Sequence, residues 1–203
     1  TDAIQALGRT EVDVQALGVD ALAGSGYKGM LAMEGMGFLY LSDAMLPQVN
    51  PVFACYNAAM TVDREARAIQ CLDSMDARKL EAGTIPFSSI YVLGAALEQF
   101  RRIGPDRIAA HVSRCYETAY RGLEALGYRM ATPFDPDRRC NSFLVCTERE
   151  AELTDFLQRR GVYVSTGKHG YVRISVAPFT SGEDIQRLLE AAAAWRAEQK
   201  EST

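Results

Sequence analysis

Short apolar runs alternate with Gly and Asp turns over the first forty residues. The runs TDAIQALG (1–8), VDALAGSG (19–26) and GFLYL (37–41) predict three strands of a buried sheet. Further on, TVDREARAIQCLDSM (61–75) predicts a short helix and EAGTIP (81–86) a loop. FSSIYVLGAALEQFRRIG (87–104) carries apolar residues at helical spacing and stops at Gly104-Pro105, a pair that cannot continue a helix. A long amphipathic helix over 106–127 follows, then a strand (141–147), a helix (148–161), two strands (162–166 and 170–178) and a closing helix (181–200). Ser181 is a suitable N-cap for that last helix, with Glu183 and Asp184 in its first turn. The pattern predicts an α/β chain of two domains, 1–106 and 107–203, the second a compact α+β unit.

At 203 residues and 48% hydrophobic composition the chain can bury a core, so disorder is excluded. A formal net charge of −4, without clustered Lys and Arg, argues against a nucleic-acid surface and toward a small molecule or a protein as partner. No apolar stretch approaches the ~20 residues that span a bilayer, and no signal-peptide pattern opens the chain, so the expected location is cytoplasmic with no membrane partner. The five cysteines (Cys55, Cys71, Cys115, Cys140, Cys146) are widely spaced and form no CxxC pair, which reads as free thiols serving as core fillers. The two histidines, His111 and His169, lack metal-ligand spacing; no metal site is expected.

Lys28 sits in the turn between the second and third of these runs, with Gly24, Gly26 and Gly29 around it and Gly35 and Gly37 downstream. Glycines on both sides of a lysine mark a backbone that bends tightly or approaches something closely. The pieces DAIQALG, SGYKG, GMGFLYL, EAGT and VRISVAPFTSGEDIQRLL stand in an order and spacing that resemble the class V aminotransferase family, which includes the cysteine desulfurases. The resemblance extends over nearly the whole chain, but to the C-terminal portion of such enzymes. It implies fold type I architecture: part of a large domain with a mostly parallel sheet, then a small α+β domain. It also implies an upstream segment or chain that completes the large domain.

The cofactor implied is pyridoxal 5'-phosphate, held as a Schiff base by Lys28. A lysine amine must be deprotonated to attack an aldehyde, which favours a buried turn. By the same resemblance Asp2 pairs with the protonated ring nitrogen, so that the ring can act as an electron sink. Gln5, expected at the end of the same strand, hydrogen-bonds the ring hydroxyl, and Ser25 donates to the phosphate. Tyr27 stands where the family often has histidine. Thr84 of EAGT reaches the phosphate of a neighbouring subunit, so a homodimer with shared sites is implied. Arg173 holds the substrate's α-carboxylate through its planar guanidinium; the family's tyrosine-asparagine pair after it is here Phe179-Thr180. Each residue has a plainer reading as a turn, cap or solvated side chain, and the five pieces in register favour the cofactor reading.

The expected activity is that of a pyridoxal-phosphate enzyme acting on a small amino acid or keto acid, with aminotransferase placed first. A cysteine desulfurase wants a nucleophilic cysteine shortly before the arginine, and none lies between Cys146 and Arg173. An epimerase, a lyase or a non-catalytic subunit on the same scaffold are the other readings.

Overall fold

A computed structural model describes residues 1–52, 60–71, 76–81, 83–135, 140–166 and 170–201. The chain divides into two compact units, one of residues 1–7 and 12–102, the other of residues 8–11 and 103–203.

In the first unit, strand β1 (Ala21–Ser25) pairs antiparallel with β2 (Gly37–Leu41), in a register that sets Ala21 opposite Leu41 and Ser25 opposite Gly37. Eleven residues join them, which suits a hairpin and is too short for the crossover a parallel pair needs. On the far edge of β1, Asp2 makes a parallel bridge to Ala23, through Ala3 N–H to Ala23 O at 2.9 Å and Ala23 N–H to Thr1 O at 2.9 Å. Of a mostly parallel sheet, the described residues therefore carry this single parallel bridge. The predicted first strand is a correction: after Ala3 the backbone turns, with Ala6 and Leu7 N–H both donating to Ala3 O.

The glycines of the hairpin answer to close packing. A Cβ on Gly24 would lie 2.3 Å from Leu7 Cδ1 and 2.9 Å from the Phe38 ring, and one on Gly37 would lie 3.0 Å from the Gly24 carbonyl. The helix expected over 61–75 is a second correction: β3 (Met60–Asp63) and β4 (Ala68–Cys71) form an antiparallel hairpin around a turn in which Arg67 has φ +52°, and 72–75 lie outside the described residues. The unit ends with helix α1 (Phe87–Ile103), which buries Ser89 and Leu93 and leaves Phe87, Tyr91 and Leu97 exposed.

The second unit opens with α2 (Pro105–Ala125), Pro105 occupying the first turn where a missing N–H costs nothing. β5 (Ser142–Cys146), α3 (Glu150–Arg159), β6 (Ser165–Thr166), β7 (Tyr171–Ser175) and α4 (Gly182–Glu201) follow. The three strands form an antiparallel sheet in the order β5-β7-β6, and of the predicted strand at 162–166 only Ser165–Thr166 pairs. Strand alternation buries Phe143 and Val145 on β5 and Val172 and Ile174 on β7. Against them lie Tyr116, Tyr120 and Leu123 of α2, Phe156 and Leu157 of α3, and Leu188 and Trp195 of α4, all buried. Tyr116 and Tyr120 meet Phe143 edge-on at ring separations of 5.1 and 5.3 Å.

Ser181 caps α4 as predicted. Its Oγ accepts from Asp184 N–H at 3.1 Å while Asp184 Oδ2 accepts from Ser181 N–H at 2.8 Å, and these bonds hold the Asp184 carboxyl below its ordinary range. His111 on α2 is tied to the residue before that cap: its Nε2–H donates to Thr180 O at 2.8 Å. Cys115 is buried, Cys140 and Cys146 are half-buried, and Cys55 and His169 lie outside the described residues. Among the described residues no helix is long and apolar enough to cross a membrane, and no cluster of His, Cys, Asp and Glu could hold a metal.

Candidate active site

β1 delivers Ser25 at its end and the chain then closes a tight turn that carries Lys28. Gly26 N–H donates to Met36 O at 2.9 Å, Ala32 N–H to Gly26 O at 2.8 Å, and Leu31 N–H to Lys28 O at 3.0 Å. A Cβ on Gly26 would press on Ala32 Cβ at 3.2 Å. Leu31 holds φ +57°, an unfavourable region for a branched side chain, so the turn is strained directly after the lysine. Lys28 is half-buried rather than buried, between buried Gly26 and Gly29–Met30, and its Nζ stands 5.8 Å from the centre of the exposed Tyr27 ring.

Three residues before the lysine, Ser25 Oγ is buried and has no hydrogen-bond partner among the described residues. A hydroxyl withdrawn from water without a partner costs about 1–3 kcal/mol. Such an atom is suited to a ligand oxygen.

Asp2 is exposed; its Oδ1 accepts from Ile4 N–H at 2.8 Å, as in the plainer reading of a turn cap, and its Oδ2 accepts nothing among the described residues. Gln5 is exposed in the turn that replaces the expected strand end. Thr84 is exposed in the segment before α1. The first unit thus brings Ser25, Tyr27 and Lys28 together in one turn, with Asp2 bridged to β1 beside it.

Arg173 belongs to the second unit. It is exposed on β7, on the face opposite Val172 and Ile174, and its Nη2 donates to Ser165 Oγ at 3.4 Å. Arg9, which sequence reading passed over, belongs to the same unit. Burial lowers the basicity of its guanidinium, the Cys140 thiol opposes that effect, and the Arg173 charge adds to it. Also missed was Lys79, buried with its Nζ donating to Leu46 O at 2.6 Å. In the polar stretch DARKLE nothing marks that lysine as an interior one.

The family model for Aminotransferase class-V matches residues 1–188. The chain belongs to that family. As a class-V member it is 28% identical to a probable cysteine desulfurase of Methanothermobacter thermautotrophicus, over 93% of this chain and 50% of that protein. It is 27% identical to an uncharacterized aminotransferase of Schizosaccharomyces pombe, over 92% of this chain and 48% of that one. Among solved structures, the apo cysteine desulfurase of Thermococcus onnurineus superposes with a TM-score of 0.84 at 22% identity, covering 96% of this chain and 51% of that one. The fold is accordingly the α/β fold type I of the class-V enzymes, and the chain spans about half the length of the relatives it matches.

Proposed function

We propose that the complete protein is a pyridoxal-phosphate enzyme that acts on a small amino acid and removes sulfur from a cysteine-type substrate. The observation that carries the cofactor is Ser25, whose buried hydroxyl, three residues before Lys28, lacks a partner among the described residues. A phosphate oxygen accepting that O–H would relieve the unpaired donor. The residues present fit the group: a half-exposed lysine amine, a phenol one residue away and, neither of them partnered among the described residues, the Ser25 hydroxyl and one carboxylate oxygen of Asp2.

When bound, pyridoxal phosphate supplies an electron sink for the bond broken next to the substrate's Cα. Lys28 Nζ would hold its aldehyde carbon and carry the proton at Cα. Asp2 would stabilise the positive charge on the ring nitrogen, and Gln5 would donate to the ring hydroxyl. Ser25 and Tyr27 would donate to the phosphate, with Thr84 doing so from a second subunit. Arg173 would fix the substrate carboxylate in two parallel hydrogen bonds.

The relatives named as cysteine desulfurases support sulfur removal ahead of the transamination that sequence reading placed first. Residues 147–172 contain no cysteine to take up the sulfur. Elimination needs none: cysteine and water give pyruvate, ammonia and sulfide, with Lys28 accepting the Cα proton and the thiol leaving from Cβ. Transamination is the second reading, favoured by that missing thiol and by the aminotransferase relative.

Complete, cofactor-loaded protein incubated with L-cysteine should release sulfide and pyruvate in equal amounts, and Lys28→Ala should release neither. Keto-acid formation that requires an amino acceptor and yields no sulfide would establish transamination instead.

A further inference from the structure

The second unit contains a cleft of about 680 Å³, walled by Gly127, Tyr128 and Arg129 after α2, by Cys146 at the end of β5 and the three residues that follow it, and by Trp195, Arg196 and Gln199 of α4. None of these residues is among those assigned to cofactor or substrate above. Three of them are arginines, on a chain whose net charge is −4.

Two of the guanidiniums are held in place. Arg196 lies over the Tyr128 ring at 5.2 Å and its Nη2 donates to Gly127 O at 3.0 Å. Arg149 lies over the Trp195 ring at 5.3 Å and donates to Gln199 and Glu152. Both rings are buried, so each planar group rests on a fixed apolar base and loses little freedom when it binds. Gly127 completes the fit. Its φ is +83°, and a Cβ there would meet Arg196 Nη2 at 2.7 Å.

Arg129 is exposed, and its guanidinium has no hydrogen bond or ion pair among the described residues. Among the described lining residues Glu148 is the one carboxylate against three arginines; Glu152 is engaged by Arg149 and Glu198 by Arg160. Positive charge is therefore in excess there. The volume falls within the range of small-molecule sites, and guanidiniums match the paired oxygens of phosphates and carboxylates.

We propose that this cleft binds a small multivalent oxyanion, a phosphate ester or a polycarboxylate, with Arg129 and Arg196 as its principal contacts. Such a ligand would accept from the Arg129 guanidinium and from Arg196 N–H groups other than the Nη2 donor to Gly127 O. The site is independent of the cofactor reading, because every residue in it comes from the second unit.

The test is calorimetric titration of complete, cofactor-loaded protein with inorganic pyrophosphate and, separately, with citrate, at fixed ionic strength so that general screening stays constant. At least one should bind. Arg129→Glu should weaken that binding about tenfold or more, whereas Arg114→Glu, a charge reversal at an exposed position of α2, should leave it within about twofold. The probe that binds identifies the source of the oxyanion. Absence of binding by both probes, or equal losses from the two charge reversals, would overturn the proposal.

Discussion

At Ser25 a single atom separates a structural role from a binding one. Its Oγ is buried without a partner among the described residues, so Ser25→Ala removes an unsatisfied group and should leave cofactor-free protein unchanged or more stable by about 1 kcal/mol. The same change should weaken pyridoxal-phosphate affinity by about ten- to a hundredfold if the hydroxyl meets the phosphate. Thermal unfolding of the cofactor-free protein and spectroscopic titration with the cofactor read the two effects separately. A hydroxyl that served folding alone would lower the melting temperature and leave affinity untouched.

Tyr128 gives a residue-scale prediction in pH. Burial pushes its phenol up to about 12, with the Arg196 charge opposing, and its O–H donates to Ala192 O at 2.8 Å. The unfolded chain ionises the same group near pH 10. Below that both states keep the proton and the full contribution is present; between about 10 and 12 only the unfolded state loses it, so stability falls as pH rises. The loss amounts to roughly 2–3 kcal/mol across that window. Denaturant unfolding at pH 9 and pH 11 should show a steeper decline for wild type than for Tyr128→Phe, and parallel declines would show that the phenol ionises alike in both states.

Among the elements, α2 and α4 meet at a glycine. A Cβ on Gly122 would fall 2.6 Å from both Cδ atoms of Leu189 and 3.2 Å from its Cγ. Alanine in an exposed helix interior gains about 1 kcal/mol over glycine, but here overpacking should reverse the sign. We expect Gly122→Ala to destabilise by about 1–3 kcal/mol, and Leu189→Ala in the same chain to recover part of it. A gain in stability from Gly122→Ala alone would mean that the helices move apart freely. The hairpin of β3 and β4 carries the opposite lesson about elements. The composition of TVDREARAIQC favours a helix, yet a turn at 64–67 with a left-handed Arg67 folds it back into strands. The partner lies within the same stretch, from Asp63 opposite Ala68 to Met60 opposite Cys71, so the two halves pair with each other across a turn that helix-favouring composition does not register.

At the scale of the whole molecule the proposal is a homodimer with shared sites. Thr84 lies 56 residues after Lys28, and its hydroxyl has no hydrogen-bond partner among the described residues. On the family resemblance it would serve the neighbouring subunit's phosphate. Mixing Lys28→Ala subunits with Thr84→Ala subunits would place both lesions in one site of each heterodimer and leave the other intact. Activity should return in part on mixing. Heterodimers that form and stay inactive would place Thr84 in its own subunit's site or in none.

Family and fold were legible in the sequence because each quoted piece obeys a local constraint. Gly37 is glycine because β1 and β2 approach too closely for a Cβ, Ser181 is serine because α4 needs a cap, and the alternation on β5 and β7 follows from one buried face. Such constraints act over a few residues and leave their mark at fixed spacing. Only the tertiary structure decided the rest. Asp2 bridges Ala23 although the residues after Ala3 turn, the Ser25 hydroxyl is buried where no described residue partners it, and Lys79 enters the interior toward Leu46 O. Segments distant in the sequence fix those outcomes, so no single window contains them. The arginine cleft is of the same kind: Gly127, Arg149 and Arg196 are adjacent because α2, β5 and α4 bury their apolar faces together, and the guanidiniums gather at the ends those faces leave open.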